Sequence, residues 1–207
     1  MKPADDVALD AFLGLIAEKG FTAVTLRDVA QAANLGLADL YRLYPDKVAL
    51  VVAFLARIDA EVLAGTPSQD DPEETARDRL FDTMMRRYDA LRPHRAVLAA
   101  IRRGVGRDPM ALLALGPALR RSMAAMLEAA GVPSDGLSGA LRQNGLLAIH
   151  YAVSRVFGQD ETGDLSKTMA ALDSRLKTAE RWSQTIDKYV KRQKSKEASP
   201  EVHSPAT

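Results

Sequence analysis

The chain has 207 residues and no cysteine. Disulfide scaffolding and thiol catalysis are therefore excluded, and a reducing, cytoplasmic setting is the natural expectation. Neither sign of charge is in excess. Twenty-eight Lys and Arg against 27 Asp and Glu leave a formal net charge of +1, so no bulk field points to nucleic acid or to a membrane. Histidine is scarce. His94, His150 and His203 lie far apart, without HExxH or HxxxH partners, and no metal site is expected. No GK[ST] phosphate loop occurs, and Gly104-Val105-Gly106 lacks the third glycine and preceding strand of a dinucleotide loop, so it reads as a turn. Carboxylate pairs such as Glu73 and Glu74 sit in turn-forming sequence. No cofactor and no catalytic activity are expected. No apolar run approaches the roughly 20 residues needed to span a bilayer, and the opening MKPADDVALD lacks the basic and apolar parts of a signal peptide.

What is present is helical patterning. The chain is 47% hydrophobic, enough for a sizeable core in one or two domains. Leu9, Phe12, Leu13 and Ile16 share one face of a first helix over Ala8 to Lys19, closed by Gly20. The stretch from Thr25 to Lys47 then reads as two short helices and a tight turn. Leu26, Val29, Ala30 and Ala33 recur at 3.6-residue spacing, and Asn34 falls where the backbone needs a left-handed residue. Gly36 serves as N-cap of the next helix, which turns Leu40 inward and ends before Pro45. Asp46 caps a fourth helix that carries Val48, Leu50, Val51 and Phe54 and runs to about Ala64. A helix-turn-helix backed by a preceding helix is a device for laying one helix in a groove of DNA.

On Thr25, Val29, Ala30, Ala33, Leu35, Leu40, Tyr41, Tyr44 and Lys47, with the first helix and Gly20-Phe21, the first quarter of the chain resembles the TetR family of bacterial transcriptional regulators. The resemblance implies an all-α fold, a three-helix head over residues 1–56 and a helical ligand-binding and dimerisation domain over 57–194, with a disordered tail from 195 to 207. It implies double-stranded DNA as a partner: Gly36, Leu37, Ala38, Asp39, Tyr41, Arg42 and Tyr44 would meet the major groove, and Thr25, Tyr41 and Lys47 would hold phosphates. This chain departs from the family's usual Ser, Lys or Gln, and Thr at the start of that helix. Leu37 can touch a thymine methyl but bonds no base edge, while Asp39 can accept from cytosine. Residues 1–56 hold five cations against seven carboxylates, a net of −2, which opposes phosphate binding except along a local edge of Thr25, Tyr41, Arg42 and Lys47.

The rest of the chain is read as further helices: Thr75 to Leu91, a short helix from Pro93 stopped by Gly104 and Gly106, and a segment opened by Asp108-Pro109 that Gly116-Pro117 kinks or divides. Met84, Met85, Tyr88, Met110, Met123, Met126, His150 and Trp182 are either ordinary core or the lining of an adaptable apolar pocket. The TetR resemblance implies a small hydrophobic ligand or lipid there, lined by Met84, Tyr88, Met123, Met126, His150 and Trp182. Leu137, Leu141, Leu146, Ile149, Val153 and Val156 form one side of a long helix; Leu165, Met169, Leu172, Leu176, Ala179, Ile186 and Val190 recur in a near-heptad along the last. That pattern suits intramolecular packing or a dimer bundle. The resemblance implies a homodimer, with Leu141, Ile149, Val153, Leu172, Leu176 and Ile186 at the interface. Lys188, Lys191, Arg192, Lys194 and Lys196 suit the negative pole of a helix, or a weak peripheral contact with anionic membrane.

Residues 159–176 carry a second resemblance. Asp160, Thr162, Asp164, Thr168, Leu172, Asp173 and Arg175, with Met169 in place of a Trp, are similar to the C-terminal signature of the coenzyme Q biosynthesis accessory family. That likeness implies an isoprenoid-binding protein of the same fold, with weak or lost DNA binding.

Overall fold

In the computed structural model, residues 2–66 and 73–197 are described, the side chains of 182–197 excepted. Among the described residues there are nine α-helices and no strand: α1 (Ala4–Lys19), α2 (Leu26–Ala32), α3 (Leu37–Leu43), α4 (Lys47–Ala64), α5 (Ala76–Leu91), α6 (Arg95–Val105), α7 (Pro109–Ala129), α8 (Gly136–Phe157) and α9 (Ser166–Glu197). A 3-10 turn, Arg92–His94, joins α5 to α6.

The head is α1 to α3 closed by the start of α4. Ala8, Leu9, Phe12, Leu13 and Ile16 of α1 are buried, as the apolar spacing requires. They meet Val24, Val29, Ala30, Leu40, Leu50 and Phe54 in a core that continues without a break along Ile58 and Val62 into the body. Turn chemistry follows the sequence closely. Asn34 takes φ 54°, and the Asp46 carboxylate accepts from the Ala49 amide at 2.7 Å to cap α4.

The body stacks α4 against α5 and α7, α7 against α8, and α8 against α9, which also returns to α5. Helix α7 is continuous across Pro117 rather than divided. Its burial against neighbours on two sides holds the helix where the missing proline N–H would otherwise break it. By length and hydropathy α7 could cross a membrane; here one side of it packs on the bundle, with Ala111, Leu115, Ala118, Ser122, Met123, Met126 and Leu127 buried, while Met110, Leu112 and Leu113 are exposed. Gly104 does not stop α6 but lies within its last turn, where the absent side chain lets the Phe21 ring close in; an added Cβ would stand 2.4 Å from Phe21 Cδ1. Helix α9 is helical to Glu197, slightly past the expected start of the tail; residues 198–207 lie outside those described.

Candidate nucleic-acid interface and helical interior

Helix α3 turns one residue in and the rest out. Leu40 is fully buried, while Leu37 and Tyr41 are 44% and 60% exposed, and Gly36, Ala38, Asp39, Arg42 and Leu43 are exposed with them. Asp39 and Arg42, one turn apart, form an ion pair on this face.

Three of the residues expected at DNA, Thr25 and Lys47 at phosphates and Tyr44 in the groove, have work within the fold. Thr25 caps α2: its hydroxyl accepts from the Asp28 amide at 3.2 Å and donates to Asp28 Oδ2 at 2.7 Å, while the Thr25 amide donates to the same carboxylate at 2.8 Å. This is a capping box written with Asp, and these hydrogen bonds hold the Asp28 carboxyl below its usual range. Lys47 Nζ donates to the Phe21 carbonyl at 3.0 Å and lies 4.8 Å from the Phe21 ring centroid, and burial lowers its pKa. Tyr44 turns back to α1, its hydroxyl 3.4 Å from the Asp5 carbonyl. The outward-facing set at α3 without such bonds to the rest of the head is therefore Gly36 to Asp39 with Tyr41 and Arg42.

The acidic count of the head is largely neutralised in place. Arg57 of α4 binds Asp6 at 2.8 Å and Asp10 at 2.5 Å, and Lys2 adds a bond to Asp10 at 2.9 Å. The bonds from Lys2 and Arg57 depress the Asp10 carboxyl. With Asp28 and Asp46 used as caps and Asp39 facing Arg42, Asp5 and Glu18 are the head carboxylates outside these bonds to cations and caps.

In the body, Met84, Tyr88, Met123 and Met126 are fully buried, within the one continuous core. His150 reaches in from α8. The Tyr88 hydroxyl stands 3.0 Å from His150 Nδ1, and the rings stack at 5.6 Å. Burial, with the charge of Arg87 added, pushes the His150 pKa down to about 3, so the ring is neutral at pH 7. Burial likewise pushes the Tyr88 phenol up. Sequence reasoning missed the charged part of this interior. Arg87 of α5 is fully buried and paired with Asp59 of α4, and Asp59 Oδ1 also accepts from Ser122 Oγ of α7 at 2.8 Å. Arg95 of α6 lies over the Phe157 ring at 4.6 Å, and Phe157 packs on Tyr88 at 5.2 Å. Trp182 lies outside the described side chains.

Two grooves open elsewhere. One of about 560 Å³ lies between head and body, lined by Phe21, Lys47, Val48, Gly104, Arg107 and Met110 among others. The other, of about 390 Å³, lies along α4 and α5 at Glu61, Arg86, Asp89 and His94.

The expected interface needs correction. Val153, Leu172 and Leu176 are buried within their own chain, at 1%, 0% and 4% exposure, because α8 and α9 pack on each other and on the body. Their periodicity was intramolecular. What α8 leaves open is Leu137 and Leu141, at 91% and 67% exposure, with Tyr151 further along; Ile149 is half-buried. The side chain of Ile186, and those of the basic stretch Lys188 to Lys196, are outside the described residues.

The segment with the second resemblance is the seat of α9. The buried Asp160 carboxylate accepts from the Thr168 amide and hydroxyl, both at 2.7 Å, and from the Thr162 amide at 3.1 Å. Burial would raise its pKa, but these bonds more than offset it and hold the carboxyl well below its usual range. Asp164 accepts from the Ser166 amide, Leu172 is core, and Asp173 pairs with Arg77 and Lys177. Helix capping accounts for Asp160, Thr162, Asp164 and Thr168.

Comparison with known proteins points one way. A family model described as "Bacterial regulatory proteins, tetR family" matches residues 8–54. The transcriptional repressor KstR of Rhodococcus jostii is 47% identical over 49 residues, covering 24% of this chain and 23% of that protein. The regulator YvkB of Bacillus subtilis is 35% identical over 57 residues, covering 28% of this chain and 30% of its own. The chain thus spans about a quarter to a third of the length of the curated relatives it matches. A TetR transcriptional regulator from Nitrosomonas europaea shares the fold over 86% of this chain and 98% of its own, with TM-score 0.68 at 21% identity. Another from Rhodococcus sp. RHA1 gives 0.62 at 22% identity, over 84% and 96%. These matches are to transcription regulators, not to enzymes. The class defined is a helix-turn-helix head on a helical body. Residues 8–54 match the model of that family, and the chain shares the fold of the solved regulators over most of its length.

Proposed function

We propose that this protein is a cytoplasmic, ligand-responsive transcription regulator that binds double-stranded operator DNA as a homodimer. The observation that carries the reading is the orientation of α3: Leu40 is locked in the core, and Leu37, Ala38, Asp39, Tyr41 and Arg42 face outward. Exposed apolar and charged side chains on one short helix, backed by α1 and α2, suit a major groove. Leu37 offers an apolar contact to a thymine methyl, and Arg42 a guanidinium to a phosphate or guanine. The apolar interior around Met84, Tyr88, Met123, Met126 and His150 would take a small hydrophobic effector, and the open α8 face at Leu141 would meet a second copy.

Retardation of the DNA upstream of its own gene, titrated with salt, tests the reading. Binding should weaken steeply as salt rises, with a log–log slope of roughly −0.9 per neutralised phosphate. No retardation at low salt would overturn it. Co-purifying lipid in that case would favour the accessory-protein alternative instead.

A further inference from the structure

Where side chains of α5, α6 and α8 meet, several N–H donors are held out of water without an acceptor among the described residues. Arg87 has no exposure, and only its Nη1 is used, on Asp59; Nε and Nη2 have no acceptor among the described residues. Arg95 is half-buried, but its Nε and Nη2 are out of solvent without an acceptor, and among the described residues no carboxylate lies within ion-pair distance of it. The two arginines belong to one cluster: Arg95 stacks on Phe157, Phe157 on Tyr88, Tyr88 on His150, and the charge of Arg87 acts on both Tyr88 and His150. The Tyr88–His150 bond adds to this. With the Tyr88 O–H donating to Nδ1, as the shorter of its two contacts indicates, the neutral ring keeps its proton on Nε2, a further donor.

Guanidinium N–H groups held out of water without an acceptor are costly, because their desolvation is not repaid. Asp59 balances Arg87, so the cluster holds one cation in excess. The walls are otherwise apolar, with Met84 one turn from Tyr88 on α5, and Met123 beside the Ser122 that bonds Asp59. Methionine side chains yield to an entering group more readily than branched ones.

We propose that the effector is an organic acid, its carboxylate accepted by Arg95 and Arg87 and its apolar part replacing packing among the methionines. This names the chemical class of effector for the regulator reading and rests on it. It also supplies the coupling. An anion drawing on Arg87 competes with Asp59, and Asp59 sits on α4, the helix shared with the head.

The test uses the full chain and two matched series of probes, hexanoate to decanoate and the corresponding primary alcohols, followed by calorimetry and by the unfolding midpoint. The acids should bind roughly ten- to a hundredfold more tightly than the alcohols, the range expected for hydrogen bonds to a charged group. Arg95→Met should reduce the acids to the level of the alcohols and leave the alcohols unchanged; Arg95→Lys, which keeps the charge, should retain part of the difference. Alcohols that bind as well as acids, acid binding indifferent to Arg95→Met, or no binding of either series would each overturn the proposal. Retardation of upstream DNA by the unliganded protein is read separately. Its failure with carboxylate binding intact would remove the regulator and leave the acid site.

Discussion

At the scale of single residues, the head's chemistry turns on Asp39. Its pairing with Arg42 occupies the guanidinium best placed to reach DNA, and its own charge repels phosphate. Asp39→Asn should therefore raise affinity for any duplex by roughly three- to tenfold and steepen the salt slope by about one. Arg42→Ala should do the opposite, weakening binding about uniformly across sequences; fluorescence anisotropy on specific and unrelated duplexes separates the two. His150 gives a different kind of prediction. Its folded pKa, about 3, lies below the unfolded value of about 6.5. Between these values the unfolded chain binds the extra proton, so stability is complete above about pH 6.5 and falls as pH drops, by up to about 1.4 kcal/mol per pH unit. Denaturant titration from pH 7 to pH 4 should show this slope, and His150→Gln, which still bonds Tyr88 but does not titrate, should flatten it. Asp160, with its depressed carboxyl, acts in the same direction only below about pH 4.

At the scale of elements, helices were legible wherever the signal was local. Asn34 and Asp46 announced a left-handed turn and a cap, and both are found. Leu40 in was legible from its spacing, whereas Leu37, about 60° away round the same helix, was placed outward by the resemblance and not by periodicity. Other features depend on residues far apart in the chain, and no local pattern holds them. Arg87 reads as a surface cation until Asp59 and Ser122, on α4 and α7, are brought to it. Val153, Leu172 and Leu176 carry the same periodicity whether they pack at home or across a dimer; only the placement of α9 against α5 decides. Thr25 was assigned to phosphates on the resemblance, and the structure uses its hydroxyl to cap α2 with Asp28 as partner. Gly104 was read as a stop signal, yet it is the point where α6 meets the head. Gly104→Ala would force the Phe21 ring aside, and that ring is held by Lys47 and by an edge contact with Phe12 at 6.5 Å. Urea unfolding should show a loss of about 1–3 kcal/mol, the usual cost of overpacking, together with weaker DNA binding.

At the scale of the whole molecule, the proposed dimer would read a two-fold operator, and the open face of α8 offers apolar surface for the second copy. Leu141→Glu places a charge on that face without touching the core, since Leu141 is 67% exposed. Sedimentation should then give half the wild-type mass, and retardation of a two-site duplex should fall at least tenfold while the helical circular dichroism stays unchanged. A wild-type chain that sediments as one copy at micromolar concentration would remove the dimer from the account.

Helix α4 runs unbroken for 18 residues, staked at its start by Lys47 to the Phe21 carbonyl and further along by Asp59 to Arg87. Those two anchors are about 18 Å apart at 1.5 Å per residue, so a tilt of about 3° about Asp59 carries Lys47 by about 1 Å. In the proposed regulator such a rod would work as a lever whose fulcrum is an ion pair. Two of them swung in opposite senses would double the change in spacing between reading helices, and a stiff duplex with a fixed groove repeat would register the mismatch at once.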